Sequence, residues 1–312
     1  MTLFFESDYQ VDPIFEYSSC SNVESALKKC GNVHKSFLDI ATRILENSSS
    51  EDNAKGPLVS GTIILEEMKK YAETLGLSKK ITFAVSTSLL SVSTVSHSGP
   101  GSKPIVLVNP ESTLPLDLVK GVCAHEIGTH VLRMLNNDKQ VWAGANRKLF
   151  SLSNHLPTEE GLATLNTLVA SGRTSLYNSA LNYFAVGLGD SLGFAALFSK
   201  LSAYMEDPVK RFKLCTKVKR GLVNTEESGA CCLEQSYFIG AIEILRNLNR
   251  FDIRHLYCGQ IALEDLARIW RRSKKGDLLL PDFLLADQYD KYLDNLRVIA
   301  KANFVKSIGL GT

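Results

Sequence analysis

The feature that most constrains this chain is a pair of histidines five residues apart inside a helical run, GVCAHEIGTHVLRMLNN at 121–137. On a regular α-helix five steps leave two side chains about 140° apart, too far around to hold one ion. The four-residue spacing of an HExxH motif puts both imidazoles on one face instead. A π-bulge widens the turn and repairs the geometry, and Gly128 eases a local distortion. The sequence therefore predicts a helix that is irregular between His125 and His130, with Glu126 beside the first histidine. The plain alternative is two satisfied core histidines on a buried helix.

Zinc hydrolysis needs a third protein ligand and an open position for water. His155, Glu159 and Glu160 lie downstream at suitable distance. PTEEGLATLNTLVA (157–170) has the character of a helix start, with Thr158 as its expected cap. Gly161 and Ala163 would let another helix approach closely. The competing reading of Glu159 and Glu160 is a pair of first-turn acids that complement the helix dipole.

Apolar spacing predicts helices at about 22–46, 65–75, 115–137, 158–171, 175–205, 207–220, 234–249, 262–273 and 286–303, with Pro115 in a first turn. Ile81–Ser86 reads as a strand, and 91–97 with 104–109 as a hairpin around GPGSK. The fold class is α+β, predominantly helical, with a small antiparallel sheet beside the candidate metal-binding helix. NSSSEDNAKG (47–56) reads as a mobile linker, which divides the chain into an N-terminal helical segment (1–55) and a main domain (56–312).

With 35 basic against 33 acidic side chains, the chain is not a globally basic nucleic-acid binder. Local basic clusters exist. Lys210, Lys213, Lys217 and Arg220 fall on one helical stripe, and a second cluster is ARIWRRSKK (267–275). Seven cysteines, odd in number and without a CxxC pair, argue against a disulfide framework or a cysteine zinc site. MTLFFESDYQ lacks the basic start of a signal peptide, and the uncharged stretch 174–189 is short for a membrane span. These features point to a cytoplasmic protein with neither a membrane nor a nucleic acid as partner.

HEIGTHVLRMLNN followed by PTEEGLA, then CTKVKRG (215–221) and YFIGAIEILR (237–246), resembles the microtubule-associated tyrosine carboxypeptidases over roughly residues 56–305. The resemblance implies a zincin-like metallopeptidase that holds one Zn2+ and removes the C-terminal tyrosine of α-tubulin. It further implies the α-tubulin tail or microtubules as partner and a cytoskeletal location. His125, His130 and Glu160 match the zinc ligands, and Glu126 matches the general base. The five-residue spacing is that family's own pattern.

A carboxypeptidase must also capture a terminal carboxylate, a task suited to Arg. Arg220 is the first candidate, Lys219 the second and Arg133 the third, the last with bracing of the helix as its alternative. Tyr237 is the candidate donor to a tetrahedral oxyanion. The chain departs from the family at Leu233-Glu234, where Lys-Asp is common, and at Lys139-Gln140-Val141, where Gln-Pro often follows the Asn pair. These departures bear on substrate more than on reaction. The rival readings are an exopeptidase that trims other or several C-terminal residues, and a non-catalytic microtubule-binding module.

Overall fold

The computed structural model describes residues 12–14, 32–48, 56–89 and 91–306. Its helices are α1 (Lys35–Asn47), α2 (Gly61–Thr74), α3 (Val119–His125), α4 (Leu132–Asp138), α5 (Leu156–Ser171), α6 (Tyr177–Gly189), α7 (Phe194–Leu201), α8 (Pro208–Val218), α9 (Gln235–Arg246), α10 (Leu266–Ile269) and α11 (Tyr289–Ala302). The strands are β1 (Leu58–Ser60), β2 (Thr82–Val85), β3 (Ser93–Ser96), β4 (Ile105–Val108) and β5 (Thr113–Pro115). Helix dominates, with a small sheet, as the sequence pattern predicts. The chain divides into two units, residues 1–51 with 175–239 and residues 52–174 with 240–312, which differs from the expected cut at residue 55.

In the second unit, β4 is the centre of a three-stranded sheet ordered β2-β4-β3. β3 and β4 form the expected antiparallel hairpin, from Ser93 opposite Val108 to Ser96 opposite Ile105. β2, however, runs parallel to β4, so the sheet is mixed rather than antiparallel. The connection from Val85 to Ile105 is long enough for the crossover that parallel pairing requires, and β3 lies within it. A separate antiparallel ladder joins β1 and β5. Pro115 ends β5 and precedes a 3-10 turn, Leu116–Leu118, instead of opening an α-helix.

α5 begins two residues earlier than its expected cap. Thr158 lies inside the first turn and its hydroxyl accepts the Leu263 N–H at 2.8 Å. Pro157 in that turn loses no hydrogen bond, and Gly172 ends the helix at φ 66°. The predicted close approach is real. A Cβ on Gly161 would sit 2.1 Å from the backbone of Gly240, and one on Gly240 would sit 1.6 Å from the Pro157 carbonyl oxygen. α5 and α9 therefore cross backbone to backbone. The expected helix over 262–273 shortens to α10 flanked by 3-10 turns.

In the first unit, α1 buries Ala41, Ile44 and Leu45. It is tied to α6 by the His34 N–H, which donates to the Tyr183 hydroxyl at 2.7 Å, and by the Phe37 ring, 6.0 Å from that of Tyr183. That packing places the N-terminal helix with residues 175–239 and not apart from the rest of the chain. The first part of the predicted 22–46 helix and most of the predicted linker lie outside the described residues. The 175–205 run splits into α6 and α7, where the Ala195 N–H meets Asp12 Oδ1 at 2.8 Å. α8 starts on Asp207, which accepts from the Val209 and Lys210 N–H groups, with Pro208 next. Among the described residues no helix is long and apolar enough to cross a membrane.

Candidate metal centre

The irregularity predicted between the two histidines is present. A π-helical turn, Glu126–Val131, separates α3 from α4 and is buried throughout. A π-turn bonds residue i to i+5 and widens the helix, so His125 and His130 stand on one face, ring centroids 4.9 Å apart and edge to face. Such a turn disturbs the helical hydrogen-bond ladder, and buried carbonyls must find partners. The Tyr257 hydroxyl donates to Gly128 O at 2.8 Å, and the Thr129 hydroxyl donates to Ala124 O at 2.8 Å. Asn166 on α5 ties the two together, donating to Thr129 Oγ1 at 2.7 Å and to Tyr257 Oη at 2.9 Å. A Cβ on Gly128 would lie 3.1 Å from Tyr71 Oη, tighter than an ordinary contact.

Against this turn stands the N-terminal half of α5. Glu160 Oε2 lies 3.8 Å from His125 Nε2 and 3.7 Å from His130 Nε2. The ligand atoms of His125, His130 and Glu160 all fall within 4.8 Å of one another. Those separations exceed hydrogen bonds and suit atoms arranged around a shared ion. The outer ring nitrogens fix the tautomers. His130 Nδ1 donates to Glu159 Oε1 at 3.0 Å. Thr167 gives its own proton to Ala163 O, so its Oγ1 accepts from His125 Nδ1 at 3.1 Å. Both Nε2 atoms then present lone pairs towards the Glu160 carboxylate, an arrangement that could hold a metal ion.

Three carboxylates, Glu126, Glu159 and Glu160, act on His130. Burial works against a charge on His130, yet Glu160, Glu159 and Glu126 outweigh it and lift its pKa to about 9. His125 is pushed down to about 3 by burial and by His130. The donor set of two imidazoles and one carboxylate is compatible with a divalent metal ion.

Glu126 does not join the ligand cluster. It is buried, its pKa is raised by that burial, and Ser93 on β3 donates to its Oε1 at 2.8 Å. Glu159 is no exposed first-turn acid. Burial opposes its charge, but Arg133 and His130 hold its pKa down at about 2. His155 stays out of the cluster, its Nδ1 3.0 Å from Arg147 Nη2.

Three carboxylate-capture candidates fare differently. Arg133 is fully buried and spends its guanidinium on Glu159 and on the carbonyls of Leu256, Gly259 and Ile261. These bonds accord with its alternative role of bracing the helix. Lys219 is also fully buried, its ammonium donating to the carbonyls of Gly189, Glu227 and Gly229. It pins the loop after α8. Arg220 is exposed and donates to Glu234 Oε1 at 2.9 Å. Tyr237 lies half-buried in the first turn of α9. Arg220 and Tyr237 belong to the first unit, the cluster to the second.

Ser93, Asn166, Thr167 and Tyr257 are the supporting residues that motif reasoning missed. Only Thr167 left a signal, since it follows Glu160 by seven residues on the same helical face.

Comparison with known proteins accords with this geometry. Residues 15–305 match the family profile described as microtubule-associated tyrosine carboxypeptidase. The chain belongs to that family. Mouse microtubule-associated tyrosine carboxypeptidase 1 is 28% identical over 99% of this chain and 67% of its own length. Its human counterpart is 28% identical over 99% of this chain and 66% of its own length. Mouse MATCAP2, provisionally named a tyrosine carboxypeptidase, is 30% identical over 96% of this chain. The chain spans 59% of the length of that relative. The microtubule-associated tyrosine carboxypeptidase family thus accounts for nearly the whole of this sequence.

Proposed function

We propose that this chain is a zinc carboxypeptidase of zincin-like architecture that removes the C-terminal tyrosine of α-tubulin. The observation that carries this reading is the convergence of His125, His130 and Glu160 beside Glu126, in a chain of this family. A zinc ion held by those three side chains would supply Lewis acidity that polarises a peptide carbonyl and acidifies water. Glu126, steadied by Ser93, takes the proton of the attacking water and delivers it to the leaving amine. Its raised pKa suits a group that both accepts and returns a proton. Glu159 and Thr167 hold the two imidazoles with their Nε2 lone pairs inward. Tyr237 donates to the tetrahedral oxyanion and Arg220 takes the terminal carboxylate; both roles rest on the family match and on the chemistry of the side chains.

The names of the relatives support microtubules as the partner, and with them a cytoplasmic, cytoskeletal location. The exposed Lys210 and Lys213, with Lys217 and Arg220, form a basic stripe suited to steering an acidic tail. The activity is assigned to residues 56–312. One observation favours a broader preference at the cleaved position. Glu234, part of the departure from the family pattern, is the partner of Arg220 and adds a negative charge beside the residue proposed to bind a carboxylate.

The test is C-terminal mass analysis of tubulin after incubation with the protein, with Glu126→Gln and a chelator as controls. Loss of a single tyrosine, abolished by both controls, is expected. Further trimming would support the broader exopeptidase, and an unchanged tail would reject the tubulin assignment.

A further inference from the structure

A cavity of about 500 Å³ opens in the second unit against the metal-holding helix, and none of His125, His130 or Glu160 lines it. Its interior is apolar and aromatic. Val119, Cys123 and Ala124 come from α3, and Val169 and Ala170 from the end of α5. Tyr71, Phe283 and Tyr292 form the aromatic wall, the last two stacked 5.3 Å apart. A space of this size suits a small organic molecule.

The charged groups at the cavity are not equivalent. Lys70 is spent on Glu67, at 2.7 Å, and Asp282 accepts from the Tyr71 hydroxyl at 3.2 Å. Lys120 and Lys291 make no hydrogen bond or ion pair among the described residues. Two unspent ammonium groups beside an aromatic interior complement a flat apolar body with one acidic head.

The cavity wall is also wired to the π-turn. The Tyr292 hydroxyl donates to Asn166 Oδ1 at 2.6 Å, and Asn166 donates to Thr129 and Tyr257, which satisfy the Ala124 and Gly128 carbonyls. Tyr71 closes over Gly128 directly. An occupant that touches Tyr71 or Tyr292 therefore bears on the groups that keep His125 and His130 on one face.

We propose that this cavity is a second ligand site, for a small aromatic acid, whose occupancy stiffens the π-turn that carries the two histidines. The inference goes beyond the peptidase reading and stands without it. The probe is 8-anilinonaphthalene-1-sulfonate, an aromatic anion whose fluorescence rises in apolar surroundings, titrated into the intact protein. One saturable site is expected, weakened by about tenfold or more in the Lys120→Glu/Lys291→Glu double variant. Both lysines are exposed, so the double variant should fold, with a circular dichroism spectrum like that of the parent. Lys120→Arg/Lys291→Arg should restore binding. Hydrogen exchange across 126–131 should slow on binding in the parent, and Tyr292→Phe should bind the probe yet lose much of that slowing. Probe binding that ignores the charge reversal, or that leaves exchange at 126–131 unchanged, would overturn the proposal. No readout uses peptide hydrolysis, so failure here and failure of the peptidase assignment are distinguishable.

Discussion

Glu126 and Glu159 are both buried carboxylates that feel the charge of His130, yet their surroundings divide the work between them. Burial raises the pKa of Glu126 against the opposing pull of His130 and the Ser93 hydroxyl, while Arg133 and His130 keep Glu159 ionised. A group that must exchange protons and a group that must stay charged are separated in this way. Glu126→Gln should retain the metal and lower turnover by about 10²–10⁴-fold, measured as kcat on a tyrosine-ended tail peptide. Unchanged kcat would remove Glu126 from the reaction. Glu159→Gln should weaken zinc binding by about 10–100-fold in a chelator competition, because His130 loses its ionised partner. The same change leaves Arg133 buried beside a neutral amide, so chemical denaturation should show a loss of about 3–5 kcal/mol. Zinc affinity equal to the parent would show that His130 needs no such support.

At the scale of elements, the π-turn is held by side chains far away in sequence. Tyr257→Phe deletes the hydroxyl that donates to Gly128 O and should destabilise the protein by about 1 kcal/mol through loss of that hydrogen bond. Zinc affinity should fall with it; a loss of stability without a loss of affinity would uncouple the turn from the metal. The 3-10 turn Ile253–Cys258 that carries Tyr257 is capped by Asp252, which accepts from the Arg254 N–H at 2.9 Å and the Tyr289 hydroxyl at 2.8 Å. Burial opposes the Asp252 charge, but hydrogen bonds from Arg254 and Tyr289 prevail and lower its pKa. A lowered carboxylate stabilises the fold above its unfolded pKa, and that contribution is lost as pH falls through the folded value. Asp252→Asn should thus cost about 1 kcal/mol near neutrality, with the gap to the parent closing as the pH drops below about 4. A gap that is constant with pH would assign the effect to something other than the charge.

For the whole molecule, what could be read in advance followed the range of the interaction. The five-residue spacing of His125 and His130 demanded an irregular helix, and Gly161 demanded a close helix crossing, because both are constraints local to a turn or a face. The burial of Arg133 and Lys219 could not be read, since it is decided by segments over a hundred residues away for Arg133 and by a looping-back chain for Lys219. The parallel pairing of β2 with β4 was hidden for the same reason, as alternation along a strand says nothing of its neighbour's direction. Lys210, Lys213 and Lys217 fall within α8, whereas Arg220 lies beyond its end. Replacing Lys210, Lys213 and Lys217 with Glu should slow cleavage of an acidic tail peptide, chiefly in kcat/KM, and the effect should shrink as salt is raised. A salt-independent loss would contradict electrostatic steering.

The central claim is that His125, His130 and Glu160 together hold one metal ion. Inductively coupled plasma mass spectrometry on the purified protein and on Glu160→Gln tests it most directly. The account predicts about one zinc per parent chain and a sharply lower content in the variant after identical dialysis. A parent free of zinc even after loading, or a variant that keeps the full ion, would contradict it.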